Sequence, residues 1–478
     1  MIFPSYIFLL VFLPAVLLVW YGIRSVTARL IFLVGASYVF YGWWDYRFTL
    51  LMFATTWLDY VCGAKIYHAP NIKNRKFWMG VSLAGNLGSL AYFKYMNFFT
   101  SSVADGLAYL GADVSMPTLN IILPLGISFY TFQSMSYTLD IYRRECPPCK
   151  SLLRFSAYVS MFPQLVAGPI VRYSEVEEQI ATLSTRKTTG QQAGDGVWLF
   201  VIGLVKKVVI ADSLAPMVDY AFGHSGGIQV AGAWVAVLCY TCQLYFDFSA
   251  YSDMARGLGK MLGFDFCINF NSPYKSKSIS EFWGRWHISL SHWLRDNLFV
   301  PLGGSRHGTK KTLRNLGIVM FLGGLWHGAA WTFVIWGLFH GFALILHNFW
   351  TRVTRLRIPT IPAMLLTFVV VMIGWTVFRA DSMTSALNIF TGMLGMNGVE
   401  PMTYRTSIGL YLPNVMAYAG GLRNLVILPC ALGIIFFAPN SEQLPKPRNV
   451  MAAIMLALAM LFVLTQVAKP LPFLYFTF

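Results

Sequence analysis

The feature that most constrains this chain is a series of apolar stretches, each close to twenty residues long and separated by short polar loops. A helix needs about 20 apolar residues to cross the hydrocarbon core of a bilayer. Of the 478 residues, 56% are hydrophobic and only 12% are charged, whereas a soluble domain carries roughly 25% charged residues. The sequence therefore predicts an all-α, polytopic membrane protein. Its predicted spans are residues 3–21, 30–44, 48–64, 77–99, 119–139, 197–222, 228–248, 361–378, 425–438 and 450–467.

Positive charge in the loops predicts how these spans are oriented. Arg24 and Arg29 follow the first span and four basic residues lie within 65–76, whereas the loop 100–118 contains no Lys or Arg. Because cytoplasmic loops are enriched in Lys and Arg, we expect the N-terminus to lie outside the cytoplasm. We interpret the net charge of +16 in the same way. It reflects inner loops and contacts with membrane lipids, and no nucleic-acid partner is predicted.

One apolar stretch, residues 155–171, is interrupted by two prolines and a glycine. Irregular backbone at membrane depth is tolerated only where it is buried in protein or lines a cavity. We therefore predict a re-entrant segment here.

A second unusual run, residues 315–349, has basic residues at both ends, so both ends are expected in the cytoplasm. We predict a hairpin of two short helices that meet inside the membrane, with the bend near the sequence GGLWHG, residues 323–328. The basic residues that support this prediction are Arg314, Arg352, Arg355 and Arg357.

Residues 275–314 are too polar to span the membrane, since they contain eight Lys or Arg. Within them, residues 279–300 place apolar side chains at helical spacing and charged side chains on other faces. We predict one amphipathic helix at the cytoplasmic surface. Its basic residues, Arg285 and Arg295 among them, could bind the phosphates of coenzyme A. The routine excess of positive charge in inner loops, with lipid contact, explains them more simply.

His327 is the residue that most strongly suggests chemistry, because it lies in an uncharged run between Trp326 and Trp331. Ionisable groups inside a membrane usually face a cavity or a partner, and histidine is an effective general base near neutral pH. Glycines such as Gly324 would let a ligand or backbone approach closely. The tryptophans could shape an acyl or pantetheine slot. The alternative is a structural histidine bonded to a neighbouring helix.

Other polar residues leave their roles open on the sequence alone. His287 lies on the predicted amphipathic helix, where a surface histidine is the simpler interpretation. Asp247 and Asp253 lie in or beside an apolar span, with Ser249 and Ser252 between them. They could hold a basic residue or tie helices together, since buried carboxylates need partners. No HExxH or paired CxxC pattern at zinc spacing is present, so no metal site is predicted.

Four long stretches, followed by GLWHGAAW, carry a family resemblance: PLGISFYTFQSMSYTLDIYR (124–143), FPQLVAGPIVR (162–172), YFDFSAYSDMA (245–255) and FWGRWHISLSHWLRDNLFVPLGGSR (282–306). Together they resemble the membrane-bound O-acyltransferases, in particular the bacterial branch that acetylates exopolysaccharides such as alginate. The resemblance runs from about residue 3 to past residue 378. Beyond residue 380 the chain matches the family only in general character.

The resemblance implies a single domain over residues 1–478, with a core at 3–378 and C-terminal helices at 380–478. It implies a ring of tilted helices, with re-entrant segments and a central tunnel. The family's catalytic histidine corresponds to His327 and its second histidine to His287. The implied donor is cytoplasmic acetyl-CoA, used as a substrate and not as a bound cofactor. The implied recipient is an extracytoplasmic acceptor protein of a polysaccharide-modifying complex.

The residue roles expected from these arguments are specific. His327 would take a proton from the attacking hydroxyl, with His287 as the second catalytic histidine near the cytoplasmic mouth. Acetyl-CoA would contact four residues, Trp326, Gly324, Arg285 and Arg295. A covalent acetyl-histidine is the alternative to direct transfer.

Two other functions fit the same residues. A relative with this fold could act on another acceptor, such as teichoic acid or a lipid. In a different class, a transporter or channel could use His327 as a proton relay, because broken helices also occur in transporters.

Overall fold

The computed structural model describes the chain in two compact units, one formed by Met1–Phe200 with Met254–Cys267 and the other by Val201–Asp253 with Ile268–Phe478. The residues described are 1–112, 117–183, 188–354, 358–399, 404–405, 411–412, 422–446, 449–467 and 471–476.

Helices make up nearly all of the regular structure. In chain order the α-helices are α1 Leu13–Gly22, α2 Val26–Gly42, α3 Arg47–Tyr67, α4 Ile72–Leu90, α5 Met96–Tyr109, α6 Ile127–Arg143, α7 Leu152–Ser160, α8 Tyr173–Ala181, α9 Gly190–Val205, α10 Asp212–Gly223, α11 Val230–Leu262, α12 Ile279–Trp283, α13 Ile288–Leu294, α14 Thr309–His327, α15 Trp331–Val353, α16 Thr360–Arg379, α17 Met383–Met393, α18 Leu422–Phe437 and α19 Val450–Gln466. Wider π-helical turns occur at Ile7–Phe12, Ala91–Tyr95, Lys206–Ala211 and Arg295–Phe299, and 3₁₀ turns at Pro273–Lys275 and Leu474–Phe476.

Strand structure within the described residues is limited to one antiparallel pair, β1 Tyr404–Arg405 and β2 Tyr411–Leu412. Tyr404 lies opposite Leu412 in this pair. The fold is therefore all-α, as the sequence predicts.

The helices also carry the predicted membrane character. Three of the described helices, α11, α15 and α16, are long and apolar enough to cross a membrane. Four shorter apolar helices are Ile7–Gly22, Val26–Gly42, Val426–Phe437 and Val450–Gln466. The prediction of a polytopic membrane protein is confirmed, while the ring of helices and the central tunnel stay predictions.

Part of the segment 155–171 is irregular, as its prolines and glycine indicate, while the re-entrant path stays a prediction. Residues 155–160 belong to α7, which ends at Ser160, and the chain beyond it is buried but not helical as far as Val171. Tyr158 stabilises this segment, because its hydroxyl donates to the carbonyls of Val171 (2.9 Å) and Gln133 (3.1 Å). The side chain of Gln164 returns a hydrogen bond to the Tyr158 carbonyl. The buried backbone is therefore held by polar groups of the protein itself, as burial away from water requires.

Several boundaries differ from the predictions. The fifth span was expected from residue 119, but α6 begins only at Ile127, after Gly126 in a left-handed conformation with φ 71°. Gly126 packs so closely on the backbone of Val166 that a Cβ would lie 2.9 Å from its Cα. Between the predicted spans 361–378 and 425–438, where no helix was predicted, the chain forms α17, whose buried face includes Ile389.

The single amphipathic helix predicted over residues 279–300 is wrong. The chain forms α12 and α13 there, separated by a break at His287, which has φ 44°. Both halves keep apolar residues at helical spacing, so the sequence pattern did not reveal the break.

The hairpin predicted over residues 315–349 is present as α14 and α15, joined by residues 328–330. The helices are longer than the short pair expected, with 19 and 23 residues. At about 1.5 Å per residue they extend about 28 and 34 Å, close to the thickness of a bilayer core. Two residues used in the orientation argument, Arg355 and Arg357, lie outside the described residues.

Candidate active site

His327 is the last residue of α14, at the point where the hairpin reverses. Gly328 continues in an extended conformation and lies against the ring of Phe333, where a Cβ would come within 2.1 Å. The reversal therefore requires a glycine directly after His327. The imidazole is buried, with 4% of the residue exposed.

The two helices of the hairpin touch through their backbones just before this point. A Cβ on Gly324 would lie 2.4 Å from the Phe333 carbonyl oxygen and 3.1 Å from Gly337 Cα. A Cβ on Gly337 would lie 2.3 Å from the Met320 carbonyl oxygen. Paired small residues let helices approach in this way. The structure thus gives Gly324 a packing role that fixes the position of His327. Its predicted contact with the acyl donor stays a prediction.

Aromatic rings enclose His327. The ring centroids of Trp326 and Trp336 each lie 5.0 Å from that of the imidazole, and Phe378 lies at 5.3 Å. Trp331, the second tryptophan expected to shape an acyl slot, is 57% exposed, so Trp336 provides the second indole beside His327 instead. Apolar walls exclude water and strengthen any polar interaction that the imidazole makes.

The polar partner of His327 is a hydroxyl that the sequence did not suggest. Tyr475 Oη lies 2.6 Å from His327 Nδ1, although the two residues are 148 positions apart in the chain. In the tautomer that carries its proton on Nε2, the imidazole accepts at Nδ1 from the Tyr475 hydroxyl, so the phenolic proton points at a potential base. The sequence signal that could have found Tyr475 is the aromatic run PFLYF (472–476), which follows the last apolar helix.

The C-terminal segment, residues 471–476, is held by the second unit at several points. The Leu474 amide donates to Asp247 Oδ2 (2.8 Å), and the Pro472 carbonyl accepts from Lys207 Nζ (3.2 Å). The ring of Tyr475 lies 4.4 Å from that of Phe248. The segment is therefore anchored through its main chain on one side and through an aromatic contact on the other.

Asp247 and Asp253 belong to two separate charged clusters, which answers the question that the sequence left open. Lys207 Nζ lies 2.6 Å from Asp247 Oδ1 and 2.7 Å from Asp212 Oδ1. Lys206 Nζ lies 2.7 Å from Asp253 Oδ2. Both aspartates hold a lysine, and both lysines begin the π-helical turn Lys206–Ala211.

His287 lies in the same unit but is not at a surface. It is fully buried, and its Nδ1 lies 3.2 Å from Asn269 Oδ1. That oxygen also accepts from the amide (3.1 Å) and the hydroxyl (2.9 Å) of Ser289, so it is an acceptor and His287 Nδ1 must be the donor. Burial lowers the pKa of His287 to about 3, which keeps the imidazole neutral.

Trp326 lies between the two predicted catalytic histidines. Its ring centroid is 5.0 Å from that of His327 and 6.0 Å from that of His287. The Tyr475 ring lies 6.4 Å from His287 and 5.6 Å from His327. The structure therefore brings together His327, Trp326 and His287, three residues predicted from the sequence, around Tyr475.

The two predicted coenzyme-binding arginines are ion-paired and reach the surface. Arg285 lies 2.8 Å from Glu281, and its side chain is 34% exposed. Arg295 lies 2.7 Å from Asp296, and its side chain is 54% exposed. Each guanidinium has five N–H donors. Both can therefore donate hydrogen bonds to a phosphate in addition to the carboxylate of Glu281 or Asp296.

A cavity of about 460 Å³ borders the C-terminal segment. Its walls come from the start of α15 and the end of α16, and they include Thr332, Phe378 and Arg379. Cavities of roughly 300–1,000 Å³ are typical of small-molecule sites. Among the described residues, no group of three or more His, Cys, Asp or Glu side chains is placed to hold a metal ion.

Comparison with known proteins adds the chemistry of relatives to this geometry. Residues 149–386 match the model of MBOAT, the membrane-bound O-acyltransferase family. A probable alginate O-acetylase from Azotobacter vinelandii is 44% identical over 401 residues, covering 82% of this chain and 78% of that protein. A probable alginate O-acetylase from Pseudomonas putida is 39% identical, with all of both chains covered. A peptidoglycan O-acetyltransferase from Helicobacter pylori is 34% identical, covering 100% of this chain and 98% of that protein.

These similarities extend over most of the chain and include the helix that ends at His327. Three residues predicted as the centre of the site, His327, His287 and Trp326, lie together in the second unit. The chain is a multi-pass member of the membrane-bound O-acyltransferase family.

Proposed function

We propose that this protein moves acetyl groups from cytoplasmic acetyl-CoA to an extracytoplasmic acceptor of a polysaccharide-modifying complex. One observation carries the proposal, namely the 2.6 Å contact between His327 Nδ1 and the Tyr475 hydroxyl. A buried base in contact with a partly buried hydroxyl is an arrangement that activates a nucleophile for acyl transfer from a thioester. The relatives named for alginate and peptidoglycan O-acetylation support acetyl as the group transferred.

In the first step the Tyr475 oxygen attacks the thioester carbonyl of acetyl-CoA. His327 Nδ1 takes the phenolic proton, a C–O bond forms, and the C–S bond breaks. The departing thiolate receives the proton from His327, so the products are O-acetyl-Tyr475 and CoA. A base in this position typically contributes about 10²- to 10⁴-fold to the rate.

The acidity of the groups involved makes tyrosine a suitable intermediate acceptor. A thiol has a pKa of about 8.5 and a phenol of about 10, so the acetyl group moves between leaving groups of similar quality. A sugar hydroxyl is a much weaker acid. Transfer from acetyl-Tyr475 to a sugar, or to a partner protein's serine, is therefore downhill.

The predicted topology supports transfer across the membrane. The bend at 328–330, the Arg379 end of α16 and the segment 471–476 each follow a span that starts beside a basic, cytoplasmic stretch. All three are therefore expected outside, and all three contribute to the 460 Å³ cavity. We propose that the acceptor enters there, with the bacterial cytoplasmic membrane as the location and the N-terminus outside.

On the donor side we assign the phosphates of acetyl-CoA to Arg285 and Arg295, and the thioester to the surface of Trp326. His287 presents a neutral ring with its lone pair on Nε2, because Nδ1 donates to Asn269. It can therefore accept a hydrogen bond from the donor substrate or from a water near the Tyr475 ring. Gly324 contributes by keeping α14 and α15 close together, which holds the backbone beside His327 near the thioester carbonyl of acetyl-CoA.

The experiment is to purify the protein in detergent and to measure CoA release from acetyl-CoA. Wild-type protein is compared with His327→Ala and with the control His347→Ala, whose side chain lies further along α15. We expect His327→Ala to lose about 10²- to 10⁴-fold in rate and His347→Ala to lose less than about twofold. Equal rates for wild type and His327→Ala would contradict the proposal.

The polymer itself is proposed from the relatives alone. Alginate-like or cellulose-like exopolysaccharide is the first candidate acceptor, and peptidoglycan is the second, because the relative named for it aligns over the whole chain. Supplying each polymer with its partner proteins and measuring esterified acetate distinguishes the two.

A further inference from the structure

The Lys207–Asp247 ion pair differs from an ordinary buried ion pair because both side chains also form hydrogen bonds with main-chain atoms of the C-terminal segment. Both side chains are 3% exposed. The ammonium forms ion pairs with Asp247 Oδ1 (2.6 Å) and Asp212 Oδ1 (2.7 Å) and donates to the Pro472 carbonyl (3.2 Å). Asp247 contacts Lys207 through Oδ1 and the Leu474 amide through Oδ2. Lys207 and Asp247 therefore hold the chain on both sides of Phe473.

The main-chain hydrogen bonds of this cluster reach Leu474, the residue directly before the proposed acceptor, Tyr475. Leu474, whose amide is held by Asp247, precedes Tyr475, and Phe248, which follows Asp247 on α11, packs on the Tyr475 ring at 4.4 Å. Lys207 Nζ also lies 4.8 Å from the centre of the Phe473 ring, within the range of a cation–π interaction. Leu474 and Tyr475 are thus held by Asp247 and Phe248, two successive residues of α11.

The neighbouring cluster provides the comparison that separates positioning from general stability. Lys206 lies one residue earlier and bonds Asp253 (2.7 Å) on the same helix α11, with side chains 13% and 10% exposed. Its remaining hydrogen bond goes to the hydroxyl of Ser441 (3.0 Å), which also donates to Asp253. This second cluster contacts no part of the segment 471–476 among the contacts described for it.

We propose that Lys207 and Asp247 are positioning residues for acyl transfer, a main-chain clamp that keeps the Tyr475 hydroxyl at His327. This inference rests on the proposed function for its chemical consequence and not for its geometry. A cluster that only ties α9 and α10 to α11 would affect folding, and Lys206 and Asp253 would matter as much as Lys207 and Asp247.

The first test measures the position of the segment without any chemistry. Full-length protein is incubated with a carboxypeptidase, and removal of C-terminal residues is followed by mass spectrometry. We expect trimming into residues 472–476 to be at least tenfold faster in Lys207→Met and Asp247→Asn than in wild type. The matched controls Lys206→Met and Asp253→Asn should stay within twofold. Equal trimming in all five proteins would overturn the clamp.

A second pair of variants isolates the main-chain bond. Leu474→Pro removes the amide hydrogen that Asp247 accepts, whereas Leu474→Ala keeps it. We expect Leu474→Pro to match Asp247→Asn in trimming rate and the double variant to be no faster than either. Leu474→Ala should stay within twofold of wild type. Additive effects in the double variant would show that Asp247 does not act through this amide, and would overturn the proposal for Asp247.

The third readout is catalytic and separates the two proposals. Lys207→Met is expected to lower kcat for CoA release at least tenfold, with KM for acetyl-CoA within twofold, because only the acceptor has moved. A matching rise in KM with unchanged kcat would contradict a role in positioning the acceptor. If trimming changes as expected but the wild type releases no CoA, the clamp stands and the proposed function fails.

Discussion

Two buried polar clusters, one in each unit, use similar residues for different purposes. In the first unit Asp59 on α3 is fully buried and accepts from Ser82 (2.6 Å) and Asn86 (2.7 Å) on α4, and from Ser134 on α6. In the second unit Asp247 is equally buried, but it accepts from a lysine and from the main chain of a terminal segment.

The difference lies in what each carboxylate holds. Every described donor to Asp59 is a neutral side chain on a regular helix, so the cluster fixes the spacing of three helices. Asp247 holds a segment that has almost no regular structure of its own and that carries the hydroxyl next to His327. Burial and hydrogen bonding alone therefore do not distinguish a structural cluster from a functional one; the nature of the partner does.

The largest expected effect comes from Tyr475→Phe. Removal of the hydroxyl leaves the ring packing on Phe248 but removes the proposed acceptor, so acetyl transfer to the final acceptor should fall by at least about 10⁴-fold, the order of a lost, well-oriented nucleophile. Thermal unfolding in detergent should be nearly unchanged. Transfer assays with acetyl-CoA and a partner complex measure the first quantity. Retention of near-normal transfer by this variant would remove Tyr475 from the pathway.

A second prediction concerns the hairpin that positions His327. Gly324→Ala places a Cβ 2.4 Å from the Phe333 carbonyl oxygen, which is backbone and cannot move aside freely. We expect a loss of stability of about 1–3 kcal/mol, typical of overpacking, together with a loss of activity. Gly317→Ala, on the same helix, has no atom within 4 Å of its Cβ and is the control. Equal stability of the two variants would show that the close approach is not required.

Ser134→Ala tests whether the Asp59 cluster of the first unit serves stability alone. It removes one of the donors to the Asp59 carboxylate, and leaving a buried acceptor short of a partner costs about 1–3 kcal/mol. The unfolding temperature should fall, while kcat of the folded protein should stay within about twofold, as expected for a change that leaves catalytic contacts intact. A large drop in kcat at unchanged stability would mean that the Asp59 cluster is also functional.

The smallest expected effect comes from Arg295→Ala. This side chain is 54% exposed and paired with Asp296, so a phosphate contact there is screened by solvent and salt. We expect KM for acetyl-CoA to rise about two- to fivefold, in keeping with a contact worth at most about 1 kcal/mol, with kcat unchanged. The effect should shrink as salt is added. A salt-independent change would point to a packing role for Arg295.

Hydropathy and charge predicted much of the fold, for physical reasons that particular elements illustrate. The hairpin α14–α15 was predicted because basic residues flank an apolar run on both sides. Basic residues favour the cytoplasmic side of a membrane, so both ends of the run must lie on that side. The irregular stretch after Ser160 was predicted because two prolines and a glycine within a few residues disfavour a continuous helix. The break at His287 was not, because its apolar spacing is compatible with one continuous helix and only a positive φ interrupts it.

The site was predicted in part. His327 was identified because an ionisable group in an apolar run is energetically costly and usually faces a cavity or a partner. Tyr475 was not, because the contact joins residues 148 apart, and the aromatic run PFLYF that contains it does not show which residue it meets. Lys207 was not identified either: it lies inside the predicted span 197–222, and nothing in the sequence indicates its contacts with Asp247 and the Pro472 carbonyl.

The central claim is that the hydroxyl of Tyr475 receives the acetyl group with His327 as the base. The most direct measurement is mass spectrometry of the C-terminal peptide after brief incubation of the purified protein with acetyl-CoA and no final acceptor. The account predicts one added acetyl group on Tyr475 in the wild type, and none in His327→Ala over the same time. An unmodified Tyr475 in protein that releases CoA, or an acetyl group found on His327 itself, would contradict it.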